Sequence, residues 1–242
     1  MDLLETGGEY RHPWELSRYD CLLKTILTCP RRFDTVADIG CGDLFFTKKL
    51  ASSYNGRIFA VDKGFKEKPP VDTGNNNIMI KSDIKELEDS SIDIAILMDV
   101  LEHIENQNEF LTTLSKKLSE EAIIYITIPA FEHLFSGHDV FLKHQRRYSK
   151  KLLSAVLADN GFKIKRLFYF YSILYIPRLF QLISTRLKKN MVGNITSWKK
   201  DEQSGLTRFI RSVLNLDFRI NKKLGKLSMF GLSLFAICKK VQ

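Results

Sequence analysis

Four short stretches occur in a fixed order along the first half of this chain: VADIGCG, IFAVDK, IKSDI and ILMDVLEH. Each is an apolar run that ends in glycine or a carboxylate. Continuous apolar runs of this length suit strands buried on both faces of a parallel sheet, with functional residues at their carboxyl ends. A glycine-rich turn after the first strand and an acid after the second is the layout of a nucleoside-binding α/β fold. The ligand expected here therefore contains a ribose and a base.

The periodicity predicts strands over 36–42, 57–63, 77–84, 92–100 and 122–129, with further strands over 162–171 and 233–239. Helices are expected over 44–53, 105–118 and 148–160, the last stopped by Gly161 as a C-cap. The first strand–helix–strand unit closes within about 30 residues, as a right-handed crossover requires. The expected architecture is a seven-stranded, doubly wound (Rossmann-like), mostly parallel α/β sheet. Residues 1–171 and 232–242 form its main domain, and 172–231 is a helical insertion between strands 6 and 7.

On these residues the chain resembles the class I S-adenosylmethionine-dependent methyltransferases, from about Val36 to Lys165 and again at the last strand. The resemblance implies S-adenosylmethionine as cofactor. It places Asp38, Gly40, Cys41 and Gly42 beside the methionine part, and Asp62, followed by Lys63, on the two ribose hydroxyls. Asp83 falls on the adenine amino group with Ile84 against the ring, and Met98 lines the far side of the cofactor. One departure is local: where the family usually has a third glycine, Asp43 is followed by Leu44. A nicotinamide enzyme would need that glycine for its pyrophosphate; a cofactor without pyrophosphate suffers less from its loss.

The loop after the fifth strand is the expected acceptor side, since open α/β sheets bind ligands at the carboxyl ends of their strands. It carries three His, one Asp and two Arg within the 16 residues 133–148, more than a helix cap needs. The pattern PA-x-x-x-LFS-x-HD-x-x-x-x-H-x-RRY resembles a methyltransferase branch associated with cell-envelope glycan and lipid biosynthesis. Methyl transfer to a hydroxyl needs a base, and imidazole near neutral pH suits that role. His144 is the expected base, Asp139 its orienting partner and Tyr148 a third catalytic group. Arg146, Arg147 and His103 are expected on the acceptor, the arginines holding a phosphate or carboxylate.

Asp99-x-x-Glu102-His103 resembles a segment of ubiquinone-pathway O-methyltransferases and small-RNA methyltransferases that can bind a divalent metal. Metal-free relatives carry Leu-Glu-His too, and the expectation is that no metal is bound. The four cysteines, Cys21, Cys29, Cys41 and Cys238, have no metal-ligand spacing, and the polar first 15 residues do not read as a signal peptide. Reduced thiols and a cytoplasmic location, peripheral at the inner membrane face, are expected. Residues 5–18 read as a lid over the cofactor pocket or as an amphipathic helix at the sheet edge. The sequence DTGNNN is a turn-rich loop.

The net charge of +9 is unevenly placed: residues 1–162 carry 20 Lys and Arg against 25 Asp and Glu, and residues 163–242 carry 17 against 3. The basic excess thus belongs to the last third and points to an anionic partner there. The run LFYFYSILYIPRLFQLI is too short and too interrupted to span a bilayer, which takes about 20 apolar residues. Amphipathic helices are expected over 173–187 and 206–224, with Lys188 and Lys189 after the first and Arg208, Arg211, Arg219, Lys222 and Lys223 on the second. Such helices suit an anionic membrane interface, or a cap packed on the domain or on a second copy. Nucleic acid is an unlikely partner, since no stacking module is present. The readings left open are an enzyme with a small or lipid- or glycan-linked acceptor, a non-catalytic methyltransferase-like binding subunit, and an RNA methyltransferase.

Overall fold

The computed structural model describes residues 10–68, 73–187 and 198–241. Glu5 to Gly8 of the expected lid, Asp72 of the turn-rich loop, and Lys188 and Lys189 lie outside these residues.

Alternation of apolar side chains along short strands builds the molecule from one central sheet. Its strands are β1 (Thr35–Ile39), β2 (Arg57–Val61), β3 (Ile78–Lys81), β4 (Ile92–Met98), β5 (Leu118–Pro129), β6 (Phe162–Phe170) and β7 (Ser233–Lys240). The spatial order is β3-β2-β1-β4-β5-β7-β6. β1 to β5 pair in parallel, and β7 lies antiparallel between β5 and β6. The seven-stranded, mostly parallel sheet is the one expected. β5 begins earlier than the expected Ala122 because Leu118 pairs with Ile92 across a bulge.

Because strand side chains alternate, the sheet has two apolar faces. Ala37, Ile39, Ala95 and Leu97 pack with Leu111 and Leu114 of α3 (Gln107–Lys117) and with Leu153 and Leu157 of α5 (Lys150–Asp159). Val36, Ile94 and Ile96 pack on the other face with Leu22 and Ile26 of α1 (Pro13–Leu27), Leu50 of α2 (Phe45–Ala51), and Leu214 and Phe218 of α7 (Gly205–Leu224). Two further helices, the short α4 (Gly137–Phe141) and the longer α6 (Ser172–Leu187), lie beside the carboxyl ends of the strands. The inserted segment therefore supplies part of the core through α7. No helix among the described residues is long and apolar enough to cross a membrane.

Helix ends follow side-chain chemistry. Asn106, Ser149 and Ser204 accept main-chain N–H bonds at the starts of α3, α5 and α7, which satisfies donors the helix cannot. Pro13 opens α1 at the position where a missing N–H costs nothing. Gly161 ends α5 with a φ of +78°, as the sequence predicts.

The turns after β1 and β4 meet closely. Gly40 has φ +71°, and a Cβ built there would stand 2.7 Å from Val100 Cγ2. The third-glycine position is met by Leu44, which takes φ +66° and buries its side chain in the core. Leucine tolerates this backbone only because its packing holds it there. Gly40→Ala adds both a clash and a left-handed residue, and is expected to destabilise the fold by about 2 kcal/mol. Thermal melting by circular dichroism should show a fall of roughly 4–8 °C. An unchanged melt would mean that the two turns separate freely.

Candidate active site

The turn after β1 is tied to the turn after β2 by one carboxylate. Asp62 Oδ2 accepts from the Gly42 N–H at 2.9 Å, and its Oδ1 accepts from the Gly64 N–H at 2.9 Å. Each oxygen has a second lone pair, so the group can still receive two hydroxyl donors. Gly40 and Cys41 both donate to the Val61 carbonyl, at 2.7 and 3.3 Å. Asp83 leaves the neighbouring strand β3 and accepts from the Lys85 N–H at 2.9 Å, which buries Ile84 beside it. Met98 is half-buried at the end of β4, and Lys63 is exposed in the short turn after Asp62. Asp38 is fully buried. Its Oδ2 accepts from Thr47 Oγ1 at 2.6 Å, but its Oδ1 has no partner. Burial pushes this carboxyl up to about 6, opposed by the Thr47 bond and aided by Asp62.

The N-terminal segment forms helix α1, and two arginines clamp it across the strand ends. Arg11 is buried, pairs with Asp43, donates to the Tyr19 hydroxyl at 3.2 Å and lies over the Phe45 ring. Arg18 pairs with Asp99, whose other oxygen accepts from Thr127 Oγ1 at 3.0 Å. Burial opposes the Arg18 charge, yet Asp99 holds the guanidinium above its ordinary range. These two arginines were not singled out from sequence. Arg11 precedes the helix and Arg18 lies within it, so no single periodicity links them in the sequence.

The acceptor loop folds back on itself, with Ala130 bridged to Tyr148 and Phe131 at φ +62°. This brings His144 Nδ1 to 2.9 Å from Asp139 Oδ1. Asp139 is fully buried and accepts as well from Arg147 Nε at 2.7 Å and from the Ser136 N–H and Oγ at 2.9 and 3.1 Å. Burial alone would raise its pKa, but His144 and Arg147 hold it well below the usual carboxylate range. With Nδ1 engaged by Asp139, Nε2 is the ring nitrogen left for another partner. That nitrogen faces Glu102 Oε1 at 4.0 Å. Glu102 has no exposed surface, and neither of its oxygens has a hydrogen-bond partner. Burial, and then Asp99, push its carboxyl well above the ordinary value. His103 meets His144 edge to face at 4.8 Å, and burial with His144 lowers it to about 4. One ligand atom from each of Glu102, His103 and His144 lies within 4.8 Å of the others, a geometry that could hold a metal ion.

Other expected site residues sit elsewhere. Tyr148 is fully buried, accepting from Gln107 Nε2 and donating to the Leu101 carbonyl at 3.4 Å, so it props the loop from beneath. Arg147 is also buried. Its Nε is on Asp139 and its Nη1 on the Ala130 carbonyl at 3.2 Å, so its donors position Asp139 instead of meeting an acceptor. Arg146 is half-buried and forms no ion pair among the described residues. The Glu102–His103–His144 meeting was not read from sequence, because residues 102 and 144 come together only through the folded loop.

Glu102 gives a direct test of these electrostatics. Its protonated form is favoured by folding, so the group costs nothing below its ordinary pKa and destabilises increasingly as pH rises above it. Glu102→Gln should therefore melt higher than the native protein in chelator at pH 7–8, by roughly 2–4 °C per kcal/mol recovered. The gap should shrink towards pH 4. Equal melting points across that range would show that Glu102 carries no burial penalty.

Comparison with known proteins agrees with this geometry. Residues 37–126 match the sequence profile of a methyltransferase domain. A ubiquinone biosynthesis O-methyltransferase from Rickettsia bellii is 33% identical over 102 residues, covering 38% of this chain and 40% of that protein. The chain thus aligns with less than half the length of the curated relatives it matches. A SAM-dependent methyltransferase from Archaeoglobus fulgidus superposes with a TM-score of 0.55 at 19% identity, over 94% of each chain. A phosphoethanolamine N-methyltransferase from Haemonchus contortus, solved with S-adenosyl-L-methionine, superposes with a TM-score of 0.52 at 14% identity, over 95% of this chain and 53% of that one. The protein has the Rossmann-like fold of the class I methyltransferases, and its residues 37–126 match the profile of a methyltransferase domain.

Proposed function

We propose that this protein is a class I methyltransferase that uses S-adenosylmethionine and methylates a hydroxyl group of a small or lipid- or glycan-linked acceptor. An amine or carboxylate acceptor is the weaker form of the same reading. The observation that carries the hydroxyl is the His144–Asp139 pair, held at 2.9 Å through Nδ1 so that Nε2 is the ring nitrogen turned away from it. The name of the Rickettsia relative, an O-methyltransferase, agrees with an oxygen acceptor.

The residues fit the cofactor. Asp62 retains acceptor capacity for two ribose hydroxyls, and Asp83 and Ile84 stand on the adjoining strand end for the adenine, with Met98 across from them. Asp38 Oδ1, buried without a partner beside Gly40 and Gly42, offers an acceptor to the charged amino group of the methionine part. When bound, S-adenosylmethionine supplies a methyl group already activated by its sulfonium. His144 Nε2 then takes the proton of the acceptor hydroxyl, and Asp139 stabilises the imidazolium that forms. Arg147 and Ser136 hold Asp139 in that orientation, and Arg146 is placed for an anionic group on the acceptor. Helix α1, clamped through Asp43 and Asp99, helps to exclude water from the cofactor side.

A second reading rests on Glu102. A fully buried carboxylate with no partner, beside two imidazole nitrogens, also suits a divalent cation held by Glu102, His103 and His144. Such an ion would polarise an acceptor oxygen as a Lewis acid. Asp99 is outside this set because Arg18 and Thr127 occupy its oxygens. A lipid-linked acceptor, and contact with an anionic membrane through residues 172–231, belong to the main reading.

Calorimetry with S-adenosylmethionine tests the cofactor, and Asp62→Ala should weaken binding by about 10-fold or more. No binding to the native protein would favour a non-catalytic binding subunit. His144→Ala should lower turnover by about 10²-fold or more while cofactor binding stays intact. Chelation separates the two readings: unaffected turnover leaves His144 as the base, and lost turnover restored by Mg²⁺ or Mn²⁺ assigns the cation.

A further inference from the structure

Helices α6 and α7 each bury one face on the protein and turn a second apolar stripe outward. On α7, Thr207, Leu214, Phe218 and Asn221 are buried, whereas Phe209, Leu216 and Ile220 are 67, 56 and 49% exposed. These three share one face at spacings of seven and four, and Leu227, just beyond the helix, is 77% exposed. On α6, Ile173, Ile176 and Phe180 are 53, 49 and 68% exposed and also lie within one face. Scattered exposed apolar residues need no explanation, but a stripe on each of two adjoining helices does.

Beside the α7 stripe opens a groove of about 1210 Å³ between α5, the outer edge of β6 and the C-terminal half of α7. Eight of its 14 lining residues are Lys or Arg, among them Arg166, Arg219, Lys223 and Lys226, and none is acidic. None of the eight forms an ion pair among the described residues, although Lys150 and Lys222 bond to neutral oxygens. Burial lowers the pKa of both those lysines, which fits a site whose charge lacks an anionic partner within the protein.

We propose that this face, the outward stripes of α6 and α7 with the basic groove at their flank, docks the protein onto the surface of an anionic lipid bilayer. The chemistry selects that occupant. Apolar side chains next to a band of Lys and Arg match the boundary between acyl chains and anionic headgroups, and no described helix is both long and apolar enough to cross the bilayer. A second copy of the chain would set two basic grooves against each other, with 17 Lys and Arg against 3 acids in each chain's last 80 residues. Single-stranded nucleic acid would want aromatic platforms, and the α7 stripe is mostly aliphatic.

Docking would also orient the acceptor side. Inward-facing residues of α6 touch the acceptor loop: Tyr175 OH lies 2.9 Å from His133 Nε2, and Arg178 donates to Ser136 Oγ at 2.8 Å. The membrane-facing helix and the loop holding Asp139 and His144 thus form one assembly. This deepens the reading of a lipid-linked acceptor and rests on it for its purpose, but not for its test.

The test is co-sedimentation of the full chain with vesicles of phosphatidylcholine alone or mixed with phosphatidylglycerol. Binding is expected only to the mixed vesicles, and should weaken as salt is raised. Phe209→Ser with Leu216→Ser, and separately Lys223→Glu with Lys226→Glu, should each cut binding by about 10-fold or more. All four positions are outside the proposed site, so melting and S-adenosylmethionine binding should stay as in the native protein. Failure of cofactor binding alone would leave the docking intact and remove only the enzymatic reading. Equal binding to neutral vesicles, unchanged binding by both variants, preferential binding of single-stranded RNA, or dimerisation through Phe209 and Leu216 would each overturn the proposal.

Discussion

The turns that leave β1 and β4 run side by side, and the space between them is too small for a single Cβ at Gly40. That close approach sets where every later group can stand. It fixes the Gly42 N–H against Asp62, and it sends Val100 into the core so that Glu102 and His103 follow on a short helical turn. Non-glycine residues with left-handed backbone gather at the same end of the sheet. Leu44, Asp99, Phe131 and Tyr171 follow β1, β4, β5 and β6, and Lys143 lies in the acceptor loop. Each such conformation costs about 1–3 kcal/mol and persists only where its surroundings over-determine it. Among the described residues the opposite end of the sheet has one, Ser90. Strain thus gathers at the strand ends where the candidate site lies.

What holds this edge is a second layer of polar contacts from far along the chain. Arg11 and Arg18 of the N-terminal segment meet Asp43 and Asp99. Asp20 on the same helix takes Arg211 of α7, and Ser17 bonds Asn215 at 2.8 Å. The Tyr171 hydroxyl closes the set on the Trp14 carbonyl at 2.6 Å. Helix α1 is therefore fastened to the strand ends on one side and to the inserted helix α7 on the other. Removing one arginine from such a buried pair leaves an uncompensated carboxylate, which costs more than the intact pair contributes.

Strands, helix ends and strand-final carboxylates were legible in the sequence because each is a local property. Period two, period 3.6, a serine before a helix and an aspartate after a strand are all written within a few residues of where they act. Gly161 ended its helix, and the two helices of the insertion lie almost where their amphipathic patterns put them. What was not legible depends on distant contacts. Nothing near Tyr148 says that its hydroxyl will meet Gln107 under the loop, or that Arg147 will turn inward to Asp139. Glu102 and His144 are 42 positions apart, and only the return of the loop past Ala130 brings them together. The inner position of β7 is of the same kind, set by pairing with both β5 and β6.

The acceptor cluster contains two buried carboxyl groups with opposite fates, and His144 stands between them. Asp139 is charged because Arg147, Ser136 and His144 all donate to it. Glu102, equally hidden, receives no donor and is pushed towards its neutral form, with the charged Asp99 nearby. Environments that drive two acids apart are the usual way a protein assigns donor and acceptor roles at one pH. Arg147 balances Asp139, and Arg18 balances Asp99, so an ionised Glu102 would be the one uncompensated charge in the group. It ionises readily only when something positive arrives within reach. An imidazolium formed on His144 and a divalent ion between Glu102, His103 and His144 both meet that need. The empty hydrogen-bonding capacity of Glu102 is thus what makes the cluster sensitive to a positive charge beside it.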